Sequence, residues 1–238
     1  MEPQSAAFDR ARTTLHSLGF PAIAPRLHAA GIGIDRAVLG GSHSVAVYPP
    51  IDSLTLLDPA RAVAGLDFGT ETSLYVHIPF CETRCTFCHY AVQHYKGRQP
   101  AGAANPAVHR YIEALKRELG LWAARLGDTT ISSIYIGGGT PLVLEAAELR
   151  DILTTIRGAC RVARDAEVCV EGSPLTITAD GGRDKLQRLR ADGVTRLSFG
   201  VQSFNDEVLR YAARGYKRDV PIRAAEIAAA LFDNWNWI

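Results

Sequence analysis

Short runs of β-branched and aromatic residues alternate with amphipathic stretches from about residue 73 to the end of the chain. The predicted strands are SLYVHIPF, ISSIYIG, AEVCVEG and TRLSFGVQ. Helical spacing is clearest in one set of apolar residues: Ile112, Leu115, Leu119, Trp122 and Leu126. A second helical segment, EAAELRDILTTIRG, is expected to end at Gly158. The alternation predicts an α/β fold with parallel strands and right-handed helical crossovers, in an open sheet or a barrel.

A polar or glycine-rich segment directly follows each predicted strand. CETRCTFC follows the first strand, GGGTP follows the second, Glu171 follows the third and Gln202 follows the fourth. Ligands of parallel α/β proteins bind at the edge formed by the carboxyl ends of the strands. We therefore expect these four segments to meet at one rim of the sheet.

The strand–helix pattern stops before a complete barrel would close. A barrel of eight units usually takes about 250 residues, and only about four units follow residue 70. LFDNWNWI would begin a fifth strand near Asn234, so we expect the fourth strand to lack a neighbour and to present an unpaired edge. The prediction is a partial (β/α) barrel over residues 71–238, incomplete at the C-terminus as in a truncated form of a longer protein. Residues 1–70 are predicted to form an N-terminal extension.

Composition and charge exclude several classes of protein but do not indicate a function. The 238 residues are 47% hydrophobic and carry 26 Lys and Arg against 25 Asp and Glu. A net charge of +1 gives no broad electrostatic basis for binding nucleic acid or an acidic membrane. No run approaches the ~20 apolar residues of a membrane span, and MEPQSAAFDR lacks the pattern of a signal peptide. We expect a cytoplasmic protein that acts on a small molecule and has no nucleic-acid or membrane partner.

Three of the five cysteines fall within eight residues; they are Cys81, Cys85 and Cys88. In a cytoplasmic protein this spacing indicates metal ligands or redox groups rather than a disulfide framework. The three thiolates suit zinc, with His89 as a fourth ligand. They also suit three irons of a [4Fe–4S] cluster whose fourth iron has no protein ligand, and the spacing favours this open cluster over zinc. Cys160 and Cys169 stand apart, and we expect both to be buried.

Taken together, the motifs resemble a known family. YVHIPFCETRCTFC, IYIGGGTP, VEGSP and LSFGVQSFNDEVL lie in this order between Thr72 and Arg214. They are similar to segments of the radical S-adenosylmethionine superfamily, and within it to the oxygen-independent coproporphyrinogen III oxidase-like proteins, which include heme chaperones and natural-product enzymes. The resemblance implies a partial (β/α) barrel that holds a [4Fe–4S] cluster on the three cysteines. It also implies one or two bound molecules of S-adenosylmethionine.

The activity implied by the resemblance is reductive cleavage of S-adenosylmethionine, which gives a 5′-deoxyadenosyl radical that attacks an organic substrate. An oxidoreductase of porphyrin or heme biosynthesis, a natural-product oxidase and a class C-type methyltransferase all fit this description. The implied protein partner is an electron donor such as flavodoxin or ferredoxin. Two alternatives are a non-catalytic heme chaperone that keeps the cluster and a zinc-binding interaction domain.

The resemblance also implies roles for residues around the cysteines. Phe87 matches an aromatic residue that lies against the adenine, and Tyr75 matches a further cofactor contact. For both residues the alternative is core packing. Gly138, Gly139 and Thr140 match a loop that contacts the amino end of the methionine, although a tight strand-to-helix turn would need the same glycines.

The remaining implied residues follow the third and fourth strands. Glu171 matches the carboxylate that binds S-adenosylmethionine, and an unpaired carboxylate at such a position would be costly without a ligand partner. Gln202 and Arg214 match residues that hold a second S-adenosylmethionine. The alternative for Arg214 is a solvated cation at a helix end. Glu171 and Gln202 are the candidate catalytic residues.

Overall fold

Residues 65–88, 90–95 and 105–238 are described by the computed structural model of this chain. The chain divides into two units, Met1–Leu66 and Asp67–Ile238, and every element below belongs to the second. The predicted extension over residues 1–70 and the candidate zinc ligand His89 lie outside the described residues, apart from residues 65–70. The domain boundary at residue 70 stays a prediction.

Seven strands occur in the described part of the chain, numbered here in chain order. They are β1 (Glu71–Ile78), β2 (Phe80–Cys81), β3 (Gln93–His94), β4 (Thr130–Gly138), β5 (Arg161–Gly172), β6 (Arg196–Phe199) and β7 (Asn234–Trp237). Five of them form a sheet in the order β1-β4-β5-β6-β7, and every pair in it is parallel. β2 and β3 form a separate two-stranded parallel pair beside the end of β1. The predicted parallel α/β sheet is confirmed.

Helices occupy the crossovers between the strands of the main sheet. They are α1 (Pro106–Leu126), α2 (Ala146–Ala159), α3 (Pro174–Thr178), α4 (Gly182–Ala191), α5 (Asp206–Tyr211) and α6 (Asp219–Leu231), with a 3₁₀ turn at Pro141–Val143. Asn105 caps α1, since its side chain accepts a hydrogen bond from Ala107 N at 3.0 Å. The expectation that Gly158 ends the second helix is wrong. The helix includes Gly158 and ends at Ala159, where Cys160 turns into an extended conformation that leads directly into β5.

The apolar core lies between the sheet and the helices. Strand residues with no more than 2% exposure include Ile134, Ile136, Val168, Val170, Leu197 and Phe199. The helices add buried residues with no more than 4% exposure: Ile112, Leu119, Leu149, Ile152, Leu153, Ile156 and Leu189. Burial of each such side chain stabilises the fold by about 1.5–3 kcal/mol. The core thereby fixes the strand ends, which carry the polar residues of interest.

The expectation that the fourth strand presents an unpaired edge is wrong. β7 pairs with β6 along its whole length, from Arg196 opposite Asn234 to Phe199 opposite Trp237. Asn236 adds side-chain bonds across the pair, accepting from Arg196 Nη2 at 2.9 Å and donating to Ser198 Oγ at 3.2 Å. Four residues near the chain's end are therefore enough to supply the missing neighbour.

Candidate active site

One cavity is lined by the segments that follow β1, β4, β5 and β6. The predicted site residues on its wall are Cys81, Cys85, Phe87, Cys88, Gly138, Gly139, Thr140, Glu171, Gln202 and Arg214. Parallel pairing places all four carboxyl ends at the same edge of the sheet. The prediction that these segments meet at one rim is confirmed by this arrangement.

The three clustered cysteines are half-buried on the cavity wall, and none is in a disulfide. Cys81 Sγ lies 3.5 Å from Thr140 Oγ1, and Cys85 Sγ accepts a hydrogen bond from Arg214 Nη1 at 3.0 Å. Burial raises the pKa of the Cys81 thiol, and the neighbouring thiols Cys88 and Cys85 act in the same direction. The bond to Thr140 partly opposes this shift. The two isolated cysteines differ, since Cys169 is buried and Cys160 is half-buried against the core.

The donor set on this wall fits an iron–sulfur cluster. Among the described residues, no three His, Cys, Asp or Glu side chains gather closely enough to hold a metal ion around one point. In a [4Fe–4S] cluster each thiolate bonds a different iron, so the three sulfurs need to face one cavity rather than one ion. Cys81, Cys85 and Cys88 meet that requirement, and Arg214 supplies positive charge beside the second of them.

The glycine loop after β4 is packed against the start of the cysteine loop. Gly138 has a φ of +111°, and a Cβ there would lie 2.6 Å from the His77 ring. A Cβ on Gly139 would lie 2.6 Å from the carbonyl oxygen of Phe80 and 3.0 Å from Cys81 Sγ. A side chain at either position would clash with these neighbours, so the packing of the chain itself requires both glycines.

Backbone bonds join the same two loops. Gly139 N donates to Ile78 O, and Thr140 N donates to Phe80 O, each at 2.8 Å. These bonds continue the β1–β4 pairing past the ends of both strands. Cys81, the first thiol, is held in register by that continuation.

Glu171 is anchored by hydrogen bonds to both of its carboxylate oxygens. Its Oε1 accepts a hydrogen bond from Tyr135 Oη at 2.5 Å, and its Oε2 accepts one from Gly138 N at 3.2 Å. Burial raises the pKa of Tyr135 far above its usual range, and the bond to Glu171 adds to the shift. Tyr135 therefore remains a neutral donor to the carboxylate. Glu171 is oriented toward the cavity before any ligand arrives.

Two predicted aromatic residues differ in their relation to the cavity. Phe87 lies on the wall and is 46% exposed, which opposes the core-packing alternative. Tyr75 is 53% exposed and does not line this cavity, and its ring stacks on Tyr135 with centroids 6.1 Å apart. Its hydroxyl lies 2.9 Å from His77 Nδ1. The structure thus places Phe87 on the cavity wall and Tyr75 beside Tyr135, which donates to Glu171.

Gln202 and Arg214 follow β6 and close the other side of the cavity. Gln202 is exposed and adopts a left-handed backbone with φ of +71°, and its N–H donates to Ile238 O at 3.0 Å. Arg214 follows the end of α5 after a second left-handed residue, Ala213. It is half-buried and hydrogen-bonded, so the solvated-cation alternative does not describe it.

Two tyrosines that sequence reasoning missed support the site. Tyr135 holds Glu171, and Tyr216 accepts a hydrogen bond from Arg214 Nε at 2.8 Å. Side chains alternate along a strand, so Tyr135 lies on the face opposite the buried Ile134 and Ile136. This alternation was the signal in the sequence that could have set Tyr135 apart from the core. That signal says nothing of the partner, which depends on the register that places Tyr135 beside β5.

Comparison with known proteins identifies the family. The model of the radical SAM superfamily matches residues 75–238. This chain belongs to the radical SAM superfamily. Membership implies a [4Fe–4S] cluster and S-adenosylmethionine as cofactors, as the sequence motifs predicted.

Two kinds of curated radical SAM relative resemble the chain. The heme chaperone HemW of Escherichia coli is 35% identical over 159 residues, which are 67% of this chain and 39% of that protein. The oxygen-independent coproporphyrinogen III oxidase of Salmonella typhimurium is 39% identical over 142 residues, 60% of this chain and 29% of that protein. The chain therefore spans about two fifths or less of the length of these relatives.

The fold agrees with a solved radical SAM structure. Coproporphyrinogen III oxidase (HemN) from Escherichia coli superimposes with a TM-score of 0.66 at 30% identity, over 85% of this chain and 44% of that one. The predicted α/β fold and the coproporphyrinogen oxidase-like resemblance are confirmed. None of the described helices is long and apolar enough to cross a membrane.

Proposed function

We propose that this chain carries the cofactor-binding part of a radical SAM enzyme that oxidises or methylates an organic substrate related to porphyrins or natural products. The observation that carries the proposal is the single cavity shared by three thiols, the glycine loop and an anchored carboxylate. A small-molecule substrate is proposed because the cavity opens at the strand ends, where α/β proteins bind such ligands. Flavodoxin or ferredoxin is the proposed electron donor.

The bound cofactors would supply one-electron cleavage of S-adenosylmethionine to a 5′-deoxyadenosyl radical, and the protein would supply binding and orientation. In this proposal Cys81, Cys85 and Cys88 hold the cluster. Glu171 accepts hydrogen bonds from the ammonium or the ribose hydroxyls of S-adenosylmethionine. Phe87, exposed on the wall, offers an apolar face to the adenine.

Further cofactor contacts are proposed on both sides of the cavity. Gly138, Gly139 and Thr140 lie on the wall next to Cys81, where the amino end of the methionine would reach the open iron. Gln202 lies across from them and would face a second S-adenosylmethionine. Tyr75 would act indirectly, through its stacking on Tyr135.

A non-catalytic heme chaperone is the second candidate function. It is favoured by the 35% identity to HemW proteins of Escherichia coli and Bacillus subtilis, which cover 67% and 61% of this chain. Such a protein would keep the cluster, bind heme and turn over no organic substrate. The two functions share the site and differ in whether cofactor binding leads to turnover.

Anaerobic reconstitution with iron and sulfide, followed by addition of S-adenosylmethionine and a reductant, tests the proposal. We expect a brown protein that cleaves S-adenosylmethionine to methionine and 5′-deoxyadenosine, with the hydrogen atom drawn from the reductant or buffer because no substrate is added. Heme binding without any 5′-deoxyadenosine would favour the chaperone. Stoichiometric zinc with no iron after anaerobic purification would contradict both.

Cysteine variants supply the matched controls for this experiment. Cys85→Ala should abolish the brown colour and the 5′-deoxyadenosine, because one iron loses its thiolate. Cys160→Ala should retain both, since Cys160 packs half-buried against the core away from the cavity. Equal losses in the two variants would contradict the assignment of the ligands.

A further inference from the structure

Each of the three guanidinium nitrogens of Arg214 donates a hydrogen bond within the chain. Nη1 donates to Cys85 Sγ at 3.0 Å, Nε donates to Tyr216 Oη at 2.8 Å, and Nη2 donates to the carbonyl oxygen of Gly200. Because the guanidinium is a rigid planar fork, three bonds in three directions fix its orientation completely. One edge of the cation is thereby held against a predicted cluster ligand.

Tyr216 stabilises this orientation from the other side. The carbon Cζ of Arg214 lies 5.4 Å from the centre of the Tyr216 ring, a cation–π arrangement. The Tyr216 hydroxyl also lies 3.4 Å from Gly200 O and 3.5 Å from Val201 O. Arg214 is therefore tied to the end of β6 both directly and through Tyr216.

A second contact joins the same segment to the cysteine loop. Thr86 N donates to Ala212 O at 3.3 Å, and Thr86 Oγ1 donates to Tyr211 O at 3.1 Å. Together with the Arg214 bond, these contacts hold residues 85 and 86 from the turn that follows α5. In the described part of the chain, these contacts join the middle of the cysteine loop to the β6 side of the cavity.

We infer that Arg214 is a positioning residue for Cys85 and sets the reduction potential of the cluster from the cysteine side. The inference rests on the proposed function, because it assumes that Cys85 binds iron. Reduction adds negative charge to a cluster, so a fixed cation and an N–H donor at a ligand sulfur stabilise the reduced form. Arg214 therefore makes the cluster easier to reduce. This role differs from the predicted contact with a second S-adenosylmethionine.

A redox titration of the reconstituted full chain, followed by electron paramagnetic resonance without S-adenosylmethionine, tests the inference. In Arg214→Gln we expect the ratio of reduced to oxidised cluster at a fixed potential to fall about tenfold, which is about 59 mV for a one-electron couple. Arg210→Gln is the matched control, because Arg210 is an exposed arginine in the last turn of α5. Its ratio should stay within about twofold of the wild-type value by the same relation.

The outcomes separate this inference from the proposed function. A wild-type chain that builds no cluster contradicts the proposed function, whereas an unchanged potential in Arg214→Gln contradicts the inference alone. Weaker S-adenosylmethionine binding with an unchanged potential assigns Arg214 to the ligand and overturns the inference. The positioning role is supported if Arg214→Gln loses iron while it remains folded and Arg214→Lys regains the iron. Circular dichroism checks that both variants are folded.

Discussion

The carboxylate of Glu171 receives one hydrogen bond from Tyr135 Oη and another from Gly138 N. A carboxylate held in this way does not reorganise when a ligand arrives, so less of the binding free energy is lost on ordering it. Tyr135 does not line the cavity, and its hydroxyl donates to Glu171, which does. We therefore expect this hydroxyl to matter for cofactor binding only while the carboxylate is present. Tyr135 is thus a positioning residue.

Substitutions at both positions test this dependence. Glu171→Ala should weaken S-adenosylmethionine binding by roughly 10- to 150-fold, equivalent to the ~1.5–3 kcal/mol of a hydrogen bond to a charged group. Tyr135→Phe removes only the hydroxyl and should weaken binding by about threefold to tenfold, up to about 1.4 kcal/mol. In the Glu171→Ala background the same change should have no further effect. Calorimetric titration of the reconstituted proteins measures all three affinities.

Tyr75→Phe is the control for this cycle. It removes a hydroxyl that lies 2.9 Å from His77 Nδ1 and keeps the ring that stacks on Tyr135. Affinity close to that of the wild type is expected. Additive losses in the Tyr135 and Glu171 double variant would show that Tyr135 acts independently of the carboxylate.

At the scale of elements, the site depends on the packing between two loops. They are the glycine loop after β4 and the start of the cysteine loop after β1. Gly139 leaves no room for a side chain, because the nearest atoms to an added Cβ are backbone oxygens of Phe80 and Ile78 and the sulfur of Cys81. Backbone atoms in a paired strand cannot move aside as a flexible side chain can. A methyl group at residue 139 should therefore separate the two loops.

Gly139→Ala and Gly158→Ala form a matched pair. The first should destabilise the protein by about 1–3 kcal/mol through overpacking and lower its iron content. The second lies within α2 with nothing within 4 Å of its added Cβ, and should stabilise the protein by about 0.5–1 kcal/mol because alanine favours helix. Chemical denaturation and iron analysis provide the measurements. Equal stability in the two variants would contradict the packing argument.

Sequence periodicity predicted the elements better than it predicted their contacts. The four strands and their shared rim followed from local patterns, because parallel strands separated by helices must align their carboxyl ends. The bond between Arg214 and Cys85 joins positions 129 residues apart, and no local pattern encodes it. The pairing of β7 was missed for a related reason, since four residues give too short a pattern to show that a strand is complete.

For the whole molecule, β7 contributes more than backbone pairing. Trp235 stacks on Phe199 with centroids 6.0 Å apart, and Trp237 meets Phe204 edge to face at 5.7 Å. Ile238 O accepts hydrogen bonds from the N–H groups of Val201 and Gln202. The end of β7 therefore supports the loop that bears Gln202 as well as the edge of β6.

Removal of residues 234–238 should lower the melting temperature and promote association, because β6 would then present unpaired backbone groups and apolar surface. Trp237→Ala separates the two contributions, since it removes a ring that is 49% exposed together with its contact to Phe204 and retains the pairing, so it should lower the melting temperature less than the deletion does. Thermal melts and sedimentation velocity compare the two variants with the parent chain. A monomeric deletion variant with an unchanged melt would show that β7 is dispensable for the fold.

The cysteine loop is anchored by residues that lie far along the chain. This anchoring determines when, relative to synthesis on the ribosome, the site can bind iron. Cys81 depends on Thr140, 59 positions later, and Cys85 depends on Arg214, 129 positions later. At about 5–20 residues per second, the ribosome adds those 129 residues in roughly 6–26 s. Throughout this interval Cys85 has been synthesised without the partner that orients it, whereas Thr140, the partner of Cys81, is added partway through. Delivery of iron and sulfide to this site therefore belongs after synthesis of the sheet, and the nascent thiols must be kept reduced until then.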